Sequence, residues 1–223
     1  MGARAWPAPF VLHGDVMSLE TLLLYIPACF ALNMAFGPNN LLSVTIGARA
    51  GMGMAIAASA GRIVAFAIMI AITAFGLGAL LMASGVAFSI VKWLGVAYLL
   101  WIGFKLFRAK VDVSDLAAAH HPSTFRAYLR QEFLVASSNP KAILIFTAFL
   151  PQFVEPNAYW QSFFTLGAIF LVLEVAAIAI YAFLGSRLRG VMHNAWAVRL
   201  VNRISGSMMM LFGGALALTH RSA

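Results

Sequence analysis

Charge is scarce in this chain: Asp, Glu, Lys and Arg make up 10% of its 223 residues, against roughly 25% in a soluble domain. With a mean hydropathy of +0.90, there are too few polar residues to cover a water-facing surface, so lipid must do the covering and soluble enzyme folds fall away. Cysteine is all but missing. Cys29 stands alone, which excludes an internal disulfide and leaves it as a small packing residue. Acidic residues are the rarer charge, 7 against 15 basic ones, for a net charge of +8. Cytoplasmic loops of membrane proteins collect basic residues, and no Lys/Arg run is interleaved with stacking aromatics, so no nucleic-acid partner is expected. There is no His-Glu-x-x-His, no pair of aspartates in an apolar run, no Gly-rich phosphate loop and no Ser/His/Asp set. Catalytic residues, metal and cofactor are therefore not expected, and His120-His121 reads as solvated loop. Strand-like alternation over segments of about ten residues is also missing, which excludes a transmembrane barrel.

Long apolar runs are what the chain does have. Leu22 to Ile46 is roughly 37 Å long if helical, more than the ~30 Å hydrocarbon core needs, and it is interrupted by Pro27, Asn33 and Gly37-Pro38-Asn39-Asn40. Met54 to Met82 carries Arg62 and three glycines, Gly61, Gly76 and Gly78, small residues that let helices approach closely. Val86 to Phe107 is followed by a polar stretch, 109–132, read as a cytoplasmic loop in which Ser123 or Thr124 caps a short helix. Phe133 to Phe153 is broken by Asn139-Pro140-Lys141, Phe163 to Leu184 holds Glu174 near its centre, and Ala197 to Leu218 closes the series. The sequence thus predicts an all-α polytopic membrane protein with six transmembrane helices. Residues 1–16 contain no apolar core of signal-peptide length and read as an N-terminal extension, with the native start expected at Met17.

With six spans, ten basic residues fall on one side: Arg49, five from Lys105 to Arg130 and four from Arg187 to Arg203. Only Arg4, Lys92 and Arg221 fall on the other. The first side is expected to be cytoplasmic, in a multi-pass inner-membrane protein. The two halves also echo each other. Each has a proline beside asparagine inside an apolar run, at 38 and 140, and each ends in a glycine pair eight apart, Gly95 and Gly103, then Gly206 and Gly214. Three helices per half give two inverted three-helix repeats, 17–108 and 133–223, a layout common in secondary transporters.

A proline inside a span frees backbone polar groups where there is no water to meet them. Paired breaks in equivalent places point to a transporter binding site; kinks satisfied by neighbouring Ser or Asn are the competing reading. At these residues the chain resembles the LysE/RhtB family of amino-acid exporters. The resemblance rests on Phe36-Gly37-Pro38-Asn39-Asn40-Leu41, on Lys92-Trp93-Leu94-Gly95-Val96-Ala97-Tyr98-Leu99 and on Asn139-Pro140-Lys141 followed by Leu150-Pro151-Gln152-Phe153. It extends to Asn202, Gly206-Ser207 and Gly213-Gly214. Phe36 stands where the family usually has the first proline of Pro-Gly-Pro, and Arg62 occupies a stretch expected to be uncharged. The resemblance implies export of amino acids or related small solutes; with no nucleotide-binding motif, an ion gradient, taken as protons, is the expected driving force.

Arg62, Lys141 and Glu174 are ionisable residues within apolar runs, and each costs roughly 2.5–3.5 kcal/mol at mid-bilayer, so each must face the bundle interior or water. An amino acid offers them a carboxylate and an ammonium. Arg62 or Lys141 suits the first, while Glu174 suits the second or a coupling proton. Asn39, Asn40 and Asn139 both donate and accept, and Tyr181 lies two turns beyond Glu174 on the same face. With Gly37, Pro38 and Pro140 at the breaks, these form the expected substrate-binding set. The alternatives stay open: Glu174 locked structurally to Arg62 or Lys141, a membrane-embedded enzyme, or a passive channel. The expected partners are an amino acid and the lipid bilayer, with self-association left open.

Overall fold

The computed structural model describes residues 17–84 and 124–187, with isolated helical positions between 86 and 108 and between 203 and 211. The extension at 1–16, most of the expected third and sixth spans with their glycine pairs, and the loop as far as residue 123 lie outside the described residues. All elements within them are helical. Two helical stretches, Met52–Ala79 and Pro156–Arg187, are long and apolar enough to cross a membrane, and two bent pairs meet the same test when each is joined across its break.

The first bent pair is α1 (Leu19–Met34) and α2 (Pro38–Ala50), which meet at 61°. Ser18 starts α1 by accepting a hydrogen bond from the Thr21 N–H at 3.1 Å. The helix runs on through Pro27 and ends only at Met34, so Pro27 is not the interruption its position suggests. Pro38 is the first residue of α2, where a missing N–H costs nothing. Gly51, at φ +88°, ends α2 in a conformation that favours glycine. The short helix α3 (Met52–Ala58) turns at Ser59 into α4 (Ala60–Ala83).

The second bent pair begins with α5 (Phe125–Ser137), capped by Thr124, whose side chain accepts from the Ala127 N–H. The last third of the loop is therefore helix: residues 125–132 belong to α5, because the cap and the four-residue spacing of Tyr128, Glu132 and Ala136 give it a buried face. After a bend of 54° the chain continues as α6 (Pro140–Leu144), a π-helical turn at Ile145–Phe149 and a 3-10 turn at Leu150–Phe153. Pro151, which lacks an N–H, sits where the wide turn gives way to the tight one. The last described helix is α7 (Tyr159–Arg187).

Glycines bring these helices together at backbone contact. A Cβ on Gly47 would overlap Ala182, one on Gly185 would overlap Val44, and one on Gly61 would overlap the Leu129 carbonyl. Gly61 and Gly78 behave as the sequence predicts, Gly78 lying against Tyr159, but Gly76 faces open space. Gly61→Leu is accordingly expected to destabilise by at least roughly 1–3 kcal/mol, since a backbone carbonyl cannot rotate away, and Gly76→Leu to be neutral. The fraction of protein eluting as a single species in detergent checks this, and equal yields for the two would refute it.

The core between the helices is aromatic. Phe66, Phe146 and Phe170 contact one another edge to face at centroid distances of 4.9–5.7 Å. Outward positions are apolar as well: Val172 is 70% exposed and Ile72 67%, which suits a surface solvated by lipid rather than water.

Candidate functional site

The two breaks meet. Asn139, at the second, donates from Nδ2 to Asn39 Oδ1 at the first, 2.9 Å away. Between them lies a cavity lined in part by Gly37, Asn39, Asn40, Asn139, Lys141 and Glu174, six of the ten residues expected at the site. The cavity is narrow, with room for about one water molecule.

A helix that stops inside a membrane leaves its last carbonyls without partners. Here side chains meet them. Asn40 Nδ2 donates to Asn33 O at 2.7 Å and to Ala35 O at 3.0 Å. The Tyr181 hydroxyl donates to Met34 O at 2.6 Å, and Lys141 Nζ donates to Ala35 O at 2.7 Å. At the end of α5, Ser137 and Ser138 donate to the carbonyls of Phe133 and Leu134, each at 2.8 Å. Neither Pro38 nor Pro140 bends a continuous helix, as the sequence reading supposed; each opens a new one. The carbonyls freed at the first break are spent within the protein, so the polar capacity left in the cavity is that of side chains.

Arg62 lies behind the cavity wall, completely buried. Its Nε and NH2 bracket the Glu132 carboxylate at 2.8 and 3.0 Å, NH1 donates to Glu174 Oε1 at 3.0 Å, and NH2 also donates to Ser43 Oγ and to the Asn39 carbonyl. With its donors so engaged, Arg62 holds α2, α4, α5 and α7 together and orients two cavity residues, Asn39 and Glu174. Arg62–Glu174 is the ion pair that the sequence left open as an alternative, and it carries a second acid, Glu132, that the sequence reading left at the end of a loop. Tyr181 also lies outside the cavity lining, with its hydroxyl on α1. Lys141 forms no ion pair among the described residues, so its ammonium is available at the cavity beyond its one bond to Ala35 O.

Asn33 went unrecognised as a site residue. It is buried, lines the cavity and donates from Nδ2 to Phe170 O at 3.3 Å, while its Oδ1 has no partner. Phe66 and Phe170, which form one apolar wall, carry no signal that separates them from ordinary core aromatics.

Apolar helices with outward-facing apolar side chains, two of them broken around a polar cavity, define a helical membrane protein of the translocator class. Residues 30–220 match the family described as LysE type translocator, and the chain belongs to that family. It is 29% identical over 202 residues, 90% of this chain and 98% of the relative, to a protein of Vibrio cholerae called an uncharacterized membrane protein. It is 30% identical, with the same coverage, to a homoserine/homoserine lactone efflux protein of Salmonella typhimurium. A leucine efflux protein of Enterobacter sp. is 26% identical over 88% of this chain and 94% of its own length. No solved structure matches the chain.

Proposed function

We propose that this protein exports amino acids across the cytoplasmic membrane as a secondary transporter driven by the proton gradient, built from six spans in two inverted repeats with the basic loops inside. The observation that carries this reading is the cavity between the two breaks, which presents the Lys141 ammonium and the Glu174 carboxylate together. An amino acid carries the complementary pair, and charged groups inside a membrane are costly enough to mark a substrate or ion pathway. The efflux activities in the names of its relatives point the same way. The site is too narrow for an amino acid as it stands, so transport requires the broken helices to part, which suits alternating access around a mid-membrane site.

The test is a comparison of amino acids in the medium of cells with and without the protein. At least one is expected to accumulate outside against its gradient, and an uncoupler that collapses the proton gradient is expected to stop that accumulation. Identical media would overturn the exporter reading; accumulation that survives the uncoupler would overturn the proton coupling alone.

A further inference from the structure

Three side-chain amides around the cavity have orientations fixed by their partners. Asn33 faces the Phe170 carbonyl, an acceptor, so it must present Nδ2 there and Oδ1 is its free atom. Asn139 Oδ1 accepts from the Lys141 N–H at 3.0 Å, which commits Asn139 Nδ2 to donate to Asn39 Oδ1. Asn39 is left with a buried Nδ2 that donates to nothing. Each unpartnered atom carries a desolvation cost unless a ligand meets it.

These atoms are one acceptor and one donor, and the cavity that holds them also holds one charge of each sign. Asn33 is tied to Phe170, one turn before Glu174 on α7, so a free acceptor and a carboxylate share one wall. Asn39 is tied through Asn139 to the backbone of Lys141 and offers the free donor, while the Lys141 ammonium rests on Ala35 O at the end of α1 and lines the same cavity. The free acceptor and Glu174 match an α-ammonium, and the free donor and the Lys141 ammonium match an α-carboxylate. Asn40 has already spent both amide hydrogens on protein acceptors, and Asn139 has spent one of its two on Asn39. The remaining side chains lining the described cavity, Phe66, Ala142, Ile145 and Phe170, are apolar. Arg62 is held by Glu132 and Glu174, so with Lys141 the four charges of the site cancel.

From this we infer that the site takes amino acids with uncharged side chains and rejects lysine, arginine, aspartate and glutamate, with Asn33 Oδ1 acting as a ligand of the substrate ammonium beside Glu174. The backbone of a zwitterion consumes the polar capacity of the cavity, and a charged side chain would enter with no counter-charge. This rests on the exporter reading and narrows its substrate class.

The experiment uses the full chain in liposomes loaded with an equimolar mixture of the twenty amino acids, with a proton gradient imposed. Efflux is expected for one or more amino acids with uncharged side chains, and the four charged ones are expected to leave roughly 50-fold more slowly or not at all. Comparable efflux of any of those four overturns the inference while leaving the exporter reading intact. No efflux of any amino acid overturns both. Asn33→Leu, with its folded yield measured alongside, is expected to raise the half-saturating concentration roughly tenfold with little change in maximal rate. An unchanged half-saturating concentration in folded protein removes Asn33 from the site.

Discussion

Replacing Arg62 by leucine is expected to remove most of the folded protein. The substitution strips two buried carboxylates, Glu132 and Glu174, of their shared partner, and breaking a buried ion pair costs roughly 3–5 kcal/mol. That is a large part of an ordinary stability of about 5–15 kcal/mol. It corresponds to a thermal midpoint lowered by roughly 6–20 °C for a chain of this size. The triple replacement Arg62→Leu, Glu132→Leu, Glu174→Gln removes the orphaned charges together and is expected to recover much of the folded yield without recovering transport. Thermal unfolding of purified protein in detergent measures both. A single variant as stable as the wild type would show that the network holds nothing together.

The second large effect falls on transport rather than on folding. Glu174→Gln leaves Arg62 with its two-point grip on Glu132, and the glutamine carbonyl can still accept from Arg62 NH1. Folded yield is therefore expected to stay within about 1 kcal/mol of the wild type. What disappears is the negative charge in the cavity lining. A hydrogen bond to a charged group is worth about 1.5–3 kcal/mol, so gradient-driven efflux is expected to fall roughly 10- to 100-fold. Membrane abundance and efflux measured on the same cells separate the outcomes. Low abundance would make Glu174 a structural lock, and normal abundance with normal efflux would leave it without a role.

The positions of the breaks were legible because helix-breaking and polar residues stand out inside an apolar run. Gly37-Pro38-Asn39-Asn40 and Asn139-Pro140-Lys141 mark them to within a residue or two. That Asn39 and Asn139 bond to each other was not legible, since a contact between residues 100 apart depends on how the spans pack. Glu132 was missed for a different reason. Its neighbours Arg126, Arg130 and Gln131 give the segment a polar composition, and composition alone argues for a loop. A periodic signal was present, since Tyr128, Glu132 and Ala136 recur every four residues, but an acid in that series reads as solvent-facing until Arg62 is found opposite. Asn33 left a fainter trace, lying seven residues before Asn40 and thus two turns away in an unbroken helix; the break brings Asn40 Nδ2 to its carbonyl instead.

The manner in which the first break is sealed bears on how the protein is made. The carbonyl of Met34 takes its hydrogen bond from Tyr181, and Lys141 shares that of Ala35 with Asn40. Both outside donors lie more than 100 residues further along the chain. Until Tyr181 has been synthesised, the Met34 carbonyl lacks the donor that meets it in the finished protein, and until Lys141 has been, Ala35 O has only Asn40; an unmet carbonyl away from water is costly. The first bent pair is thus completed by donors from α6 and α7, so α1 and α2 are not self-sufficient and reach their final hydrogen bonding only after those later helices are made.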